Sequence, residues 1–494
     1  MSELEGRSVA DVLGKISLGS PVAEHDTALA NYFIETDTFR RLITNGGDTV
    51  AGDKGTGKSA LYRILAERYE SYPELGSVTV LAAFNPAGTP IFQRLTDAAL
   101  LDEAEYIRVW KTYFFILGGN WLLEEYGNTR PGSLAELDRV LVEAGLRVAA
   151  PEAKNVFSRL LEKFLNPKDL ESTLTFTPDG IPISTTKVSF AEPRAADIAQ
   201  QAFLRHDDAL GLLDRCLIET DFEIWMVLDR LDEAFQARPD VEYPALRALF
   251  RCYLDMQSLA RIDIKLFVRN DLFRRIIANG FVNLTHINAR KIPLTWDDDD
   301  LHALLVRRLR ESKEFLVLAG LEDATDSEVF SAVFPIKVDQ GEKRPTTWNW
   351  MLTRIRDGND VKSPRNLVDL VAKAIDAQKR REVRNPRTHQ PGEPLITGEA
   401  LKLALVELSR ERVEDTLIAE AGDSAELIRS FEGGKSEHNE TSLRDLLGDN
   451  AVEETKRLAD LGFLERVGST YKVPPLYRGG LSITQGKAFA VPKS

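Results

Sequence analysis

Gly52-Asp53-Lys54-Gly55-Thr56-Gly57-Lys58-Ser59, followed by Ala60, decides how this chain is read. The run satisfies G-x-x-x-x-G-K-[ST] at every fixed position. Its glycines let backbone N–H groups curl around a polyphosphate without side-chain interference. Lys58 can reach the β- and γ-phosphates, and the Ser59 hydroxyl can ligate Mg²⁺. A chance glycine-rich turn would lack the right flanks, and here they are present. A strand signal, Asp48-Thr-Val-Ala, comes before it. A helix opens near Ser59, with Leu61, Ile64 and Leu65 at helical spacing. That helix points its positive dipole end at the phosphates. Gly52 to Ala60 are therefore the candidate nucleotide-binding residues.

Working outward, further strand signals fall at Ser77–Phe84, Glu223–Leu228, Ile262–Val268 and Lys291–Leu294. Nearly continuous apolar runs of this kind suit strands covered on both faces of a parallel sheet. Ile224-Trp-Met-Val-Leu-Asp229-Arg-Leu-Asp232-Glu233 ends in an acid, with two more acids just beyond. A strand that runs out into solvent also ends in acids. Paired with a phosphate loop, however, one such carboxylate can hold Mg²⁺ and a second can polarise the attacking water. Asp229 is assigned to Mg²⁺. Asp232 or Glu233 is assigned to the water, with Glu233 preferred. Strands alternating with helices imply an α/β core with a parallel sheet, and ligands then sit at the strand carboxyl ends. Helices are expected over 98–165, carrying Trp110, Tyr113, Phe114, Phe115 and Trp121, and again around 194–218. Between them, Pro178-Asp179-Gly180 signals a hairpin joining Ser172–Thr177 to Ile181–Val188.

The composition limits the function classes. A length of 494 residues allows two to four domains at roughly 150 residues each. With 43% hydrophobic and 28% charged residues, collagen-like and wholly disordered chains are excluded. No apolar run approaches the roughly 20 residues that span a bilayer. The acidic start, Met1-Ser-Glu-Leu-Glu, lacks a signal core, so a cytoplasmic location is expected. Two cysteines, Cys216 and Cys252, and six scattered histidines make neither a disulfide framework nor a zinc site. A net charge of −14 argues against coating nucleic acid by bulk charge and leaves room only for a local basic patch.

Asp229-Arg-Leu-Asp232-Glu233 after its apolar strand resembles the hhhhD-x-h-D-E form of Walker B. That form occurs in STAND NTPases and in bacterial P-loop ATPases near the initiator-type AAA+ and KAP groups. Gly52–Ser59 resembles their Walker A. The resemblance covers residues 30–380 and implies an ASCE-class, Mg²⁺-dependent ATPase. In that class an extra strand lies between the Walker A and Walker B strands, and Ile264–Asn270 could supply it. A sensor-1 residue at its end would be Arg269 or Asn270. Arginine fingers in such proteins fall in the stretch holding Arg274, Arg275 and Arg290, although a solvated helix face suits Arg274 and Arg275 better. Ser363 with Pro364 marks an N-cap and first helical position, which puts Arg365 where initiator-type proteins carry sensor 2. Two departures stand out. The insertion at about 98–200 lies outside a minimal AAA+ core, and no second region of homology with paired arginines argues for a hexameric ring. The absence of an N-K-x-D motif leans towards ATP over GTP.

Asn450, with Glu453 three residues on, opens a helix over Ala451–Asp460. Strands at Phe463–Val467 and Thr470–Val473 then flank Gly468-Ser469, which is the order of a winged helix. Residues 395–494 hold 13 Lys and Arg against 17 Asp and Glu, a balance of −4. Glu453, Glu454 and Asp460 make the recognition helix a poor reader of phosphate. A role in packing or in protein interaction is preferred. The basic stretch Lys379–Pro394 reads as a solvated linker.

The expected architecture is thus an α/β P-loop NTPase parallel sheet, AAA+/STAND-like, with a helical insertion, a helical lid and a C-terminal winged helix. Residues 1–296 form the core, 297–380 the lid and 395–494 the winged-helix-like region. ATP state would set the core–lid angle and so control a protein partner or effector, with self-association plausible and no membrane involved. The resemblance implies a bacterial regulatory or defence-type ATPase, with antiviral defence among the roles it suggests. A nucleotide-gated signalling module and a DNA-binding initiator-like ATPase are the competing readings.

Overall fold

The computed structural model describes residues 6–84, 101–127, 132–148, 181–183, 202–231, 233, 239–277 and 280–484. These divide into two units. A sheet unit comprises Asp37–Asp53 and Lys58–Leu294, and a helical unit comprises Met1–Thr36, Lys54–Gly57 and Thr295–Ser494. Residues 1–36, expected within the core, thus belong to the helical unit.

The strands in chain order are β1 (Thr49–Gly52), β2 (Val78–Phe84), β3 (Ile181–Ile183), β4 (Ala202–Leu204), β5 (Glu223–Leu228), β6 (Ile262–Arg269), β7 (Lys291–Pro293), β8 (Glu437–His438), β9 (Glu465–Val467) and β10 (Thr470–Lys472). Five of them form one sheet in the order β2-β5-β6-β1-β7, parallel throughout. β6 therefore stands between β1 and β5, the ASCE arrangement, with Gly52 opposite Arg269 and Leu228 opposite Leu266. The five residues Ile224–Leu228 are all buried, as strands covered on both faces must be. Parallel neighbours need crossovers. The helix Lys58–Arg68 makes the one from β1 to β2, and Pro239–Met256 the one from β5 to β6.

The aromatic helix Glu103–Glu125 is part of this unit's core rather than an appendage. Asp102 caps it in a reciprocal capping box with Glu105. Trp110, Tyr113, Phe114 and Phe115 are fully buried, and Trp110 Nε1 donates to the Ala245 carbonyl at 2.9 Å. At Gly118 a Cβ would stand 2.7 Å from Met226 Cε on β5, so a larger residue there would make that side chain shift. Cys216 and Cys252 lie in the same core; burial pushes the Cys216 thiol up to about 12 and Cys252 higher still.

Of the expected hairpin only part of the second strand lies among the described residues. Ile181–Ile183 is a strand, and it pairs antiparallel with Ala202–Leu204. Ser172–Gly180 and Ser184–Val188 lie outside the described residues. The helix expected from 194 runs over His206–Thr220, and 194–201 also lie outside the described residues.

A charged cluster sits beneath the amino end of β1. Asp48, 2% exposed, accepts from Lys265 Nζ at 2.7 Å, Arg290 Nη2 at 2.9 Å and Tyr253 Oη at 2.8 Å. Lys265 also donates to Asn45 Oδ1 at 2.6 Å, and its ammonium lies 4.1 Å from the Trp225 ring centroid.

In the helical unit, the helix Val9–Gly14 shares a core with the helices Asp298–Glu311 and Pro364–Arg384. Asp26, Tyr32 and Arg308 are buried together: Arg308 pairs with Asp26 at 3.1 Å and lies over the Tyr32 ring at 4.2 Å. The acidic run after Trp296 is a helix start, with Asp297 accepting from the Asp300 N–H at 2.6 Å.

The expected linker is also corrected. Pro364–Arg384 is one helix, and it buries Gln378 and Glu382 on its inner face. Glu382 then accepts from Arg387 at 2.7 Å, and the Leu395 N–H donates to the Ala332 carbonyl at 3.0 Å. Charge density alone had suggested a solvated linker here. Beyond it, β8, β10 and β9 form an antiparallel sheet in that order, with the helices Glu440–Leu447 and Ala451–Asp460 between β8 and β9 in the chain. This is the winged-helix order. β9 starts at Glu465 rather than Phe463, and Phe463 packs edge-on against Phe431 at 5.0 Å. Among the described residues no helix is long and apolar enough to cross a membrane.

Candidate nucleotide site

β1 ends at Gly52, and the helix after the loop begins at Lys58. The loop between them needs two positive φ angles, +78° at Gly55 and +100° at Gly57, a region that favours glycine. Lys58 Nζ reaches back to the carbonyls of Gly52 at 2.9 Å and Asp53 at 2.8 Å, which places its charge within the curl of the loop. Lys54 is exposed, Thr56 is buried, and Ser59 and Ala60 lie in the first helical turn.

Asp229 follows β5 and is 2% exposed. Its Oδ2 has no hydrogen-bond partner among the described residues. Burial pushes its pKa up from 3.8 to about 6, opposed by the Ser59 hydroxyl, the Arg230 N–H and the Lys58 charge. A buried carboxylate with an open oxygen beside a hydroxyl is a hard-oxygen donor set. It fits Mg²⁺, which takes one or two protein oxygens and completes its shell with water and phosphate. No group of three or more His, Cys, Asp or Glu placed to hold a metal occurs among the described residues, and a Mg²⁺ shared with phosphates does not need one.

Just beyond, Arg230 adopts φ +55° and pairs with Glu233 at 3.2 Å. Glu233 is thereby held at the end of the Asp229 strand, half-buried. Asp232 lies outside the described residues.

The two sensor-1 candidates part company at the end of β6. Arg269 turns to its neighbour Asp271, with Nε to Oδ1 at 2.9 Å and Nη2 to Oδ2 at 3.2 Å. Asn270 Nδ2 donates to Asp53 Oδ2 on the phosphate loop at 3.0 Å. Of the finger candidates, Arg275 pairs with Glu242 at 3.4 Å, and Arg274 Nε donates to the Asn270 carbonyl at 3.4 Å. Arg290 is committed to Asp48 at the amino end of β1, the end of the strand opposite the loop.

Within the helical unit, Arg365 lies in the first turn of Pro364–Arg384, beside Gly55. A Cβ added to Gly55 would stand 3.3 Å from Arg365 Cβ. Two further contacts were not evident in the sequence. Ser363 Oγ donates to the Gly55 carbonyl at 2.8 Å, and Trp296 Nε1 to the Thr56 carbonyl at 2.7 Å. The serine had a sequence signal, but it pointed to helix capping.

The raised pKa of Asp229 makes a prediction. The folded carboxyl keeps its proton up to about pH 6, the unfolded one only to 3.8. Stability contributed by this group therefore falls as pH rises between those values and stays lower above them. Asp229→Asn is expected to stabilise the nucleotide-free protein at pH 7.5 by about 1–3 kcal/mol and to add little at pH 4. Melting curves at the two pH values check this; a substitution that destabilises equally at both would refute the buried-charge account.

No family model matches this chain, and no curated protein matches it. Solved structures with a similar arrangement include a Walker-type ATPase of Pyrococcus abyssi, 14% identical, covering 91% of this chain and 96% of that one at a TM-score of 0.41. The ORC1 protein of Aeropyrum pernix in complex with DNA is 14% identical over 91% of this chain and 92% of that one, at 0.33. The ORC2 protein of the same organism in its ADPNP–ADP complexes is 12% identical over 90% and 92%, at 0.29.

Proposed function

We propose that this protein binds and hydrolyses ATP with Mg²⁺, as a regulatory ATPase whose nucleotide state is read by a protein partner. One observation carries the reading. A G-x-x-x-x-G-K-S loop leaves the carboxyl end of a central parallel strand, and the buried Asp229 has an open oxygen beside that loop's serine. In this reading the loop N–H groups and Lys58 hold the β- and γ-phosphates. Ser59 and Asp229 would hold Mg²⁺, which when bound offsets phosphate charge. Glu233 orients the attacking water. Asn270 sits beside the loop at Asp53 and senses the γ-phosphate, and Arg365, beside Gly55, supplies a second cation to it. Loss of the γ-phosphate removes those contacts and biases the state a partner meets. The acidic helix Ala451–Asp460 favours a protein partner over DNA.

The test is equilibrium ATP binding and turnover with Mg²⁺. Wild type should bind ATP, and Lys58→Ala should lose about 100-fold or more in affinity, because a charge-assisted phosphate contact goes with it. Equal affinities would overturn the assignment. Tight binding with negligible turnover would instead identify a nucleotide-holding signalling module.

A further inference from the structure

A loop that grips phosphate through N–H groups must keep its peptides facing the right way. Thr56 is flanked by Gly55 at φ +78° and Gly57 at φ +100°. Flipping the Gly55–Thr56 peptide turns ψ of Gly55 and φ of Thr56, and flipping the Thr56–Gly57 peptide turns ψ of Thr56 and φ of Gly57, so a glycine on one side of each peptide lowers the cost of a flip. A flipped peptide turns a carbonyl oxygen towards an anion and its N–H away.

Two side chains of the helical unit act on these peptides. Ser363 Oγ donates to the Gly55 carbonyl at 2.8 Å, and Trp296 Nε1 donates to the Thr56 carbonyl at 2.7 Å. In a planar trans peptide the C=O and N–H point in opposite directions. Holding the Gly55 carbonyl therefore fixes the Thr56 N–H on the opposite side. Holding the Thr56 carbonyl does the same for the Gly57 N–H. Each donor thus fixes an N–H on the far side of the peptide it holds.

Other features separate this from incidental packing. Ser363 occupies the N-cap of Pro364–Arg384 yet makes no side-chain capping bond; its hydroxyl is diverted to Gly55. The approach is close enough that a Cβ on Gly55 would stand 2.6 Å from Ser363 Oγ. Trp296 Cζ2 lies 3.8 Å from where a Gly57 Cβ would be, so the indole also covers the second glycine. The two donors are braced to each other through their neighbours: Lys362 Nζ pairs with Asp298 at 2.6 Å.

We propose that Ser363 and Trp296 are positioning residues of the phosphate loop. They pin two peptides so that the Thr56 and Gly57 N–H groups face the nucleotide phosphates, and neither side chain touches the nucleotide in this role. The proposal rests on the ATP reading above.

The test uses the full chain and compares wild type with Ser363→Ala, Ser363→Thr and Trp296→Phe. Mg²⁺-ATP affinity, steady-state turnover and nucleotide-free melting are measured for each. Ser363→Ala and Trp296→Phe should each weaken ATP binding roughly three- to tenfold, the range for one lost hydrogen bond. KM should carry that loss while kcat stays within about twofold, since bound phosphates themselves hold the N–H groups in place. Ser363→Thr keeps the hydroxyl and should bind within about twofold of wild type. Nucleotide-free melting should barely move. If wild type binds ATP and both donor-deleted variants bind equally well, or if Ser363→Thr fails as Ser363→Ala does, the pinning role is overturned alone. If wild type binds no ATP, the nucleotide reading falls and takes this role with it.

Discussion

Asp48→Ala is expected to destabilise the sheet unit by about 3–5 kcal/mol, the usual cost of breaking a buried ion pair from one side. The substitution removes the acceptor for Lys265, Arg290 and Tyr253 at once. Lys265 is 0% exposed, and among the described residues the other carboxylate near it, Asp263, is 3.9 Å away. Burial already pulls the Lys265 pKa down, with Asp48 pulling the other way. Losing Asp48 therefore leaves an ammonium that must either neutralise or stay charged in the core. Asp48 itself sits below the usual carboxylate range: burial works to raise it, and Arg290 and Lys265 outweigh burial. A depressed carboxylate contributes stability that is present above its ordinary pKa of 3.8 and is lost as pH falls through the lower folded value. The Asp48→Ala deficit should accordingly be full at neutral pH and shrink only as pH falls below the ordinary carboxylate value of 3.8. Urea unfolding at neutral pH reads it directly, and a loss under about 1 kcal/mol would mean that the cluster contributes little. A paired Asp48→Leu, Lys265→Met variant should recover part of the deficit, because it removes both charges rather than one.

Glu233→Gln should lower ATP turnover by about 100-fold or more while leaving ATP affinity within a few-fold. That split is expected of a group acting on the attacking water and not on the bound nucleotide. Its carboxylate lies just beyond the β5 strand end and pairs with Arg230, 3.2 Å away. Single-turnover hydrolysis by the two proteins decides the matter. Equal rates would remove Glu233 from the chemistry and return Asp232 as the candidate.

The central features were legible because they are local. Glycine spacing announces a turn with positive φ, and five apolar residues before Asp229 announce a strand buried on both faces. The place of β6 between β1 and β5 followed from the resemblance, since no strand order can be read from hydrophobic pattern alone. What was misread depends on partners far away in the chain. Ser363 before Pro364 obeys the capping rule, but an acceptor at Gly55, 308 residues away, takes its hydroxyl. Arg290 offered a charge in a promising stretch, and Asp48 claims it. Gln378 and Glu382 looked like part of a solvated run, yet both are buried against the segment that returns to Leu395. Polar side chains in this chain were the hardest to place, because their roles are fixed by whichever carbonyl or carboxylate the tertiary fold brings to them.

Both thiols of the chain, Cys216 and Cys252, are sealed in the sheet unit's core with their pKa values driven up. Maleimide and disulfide reagents attack the thiolate, which neither residue supplies at neutral pH. The native sequence is therefore a silent background for spectroscopic labelling. A single cysteine introduced at an exposed position such as Val383 or Ile336 would carry a fluorophore or spin label without any prior removal of natural residues. Distances could then be compared with and without added nucleotide in a protein otherwise unaltered.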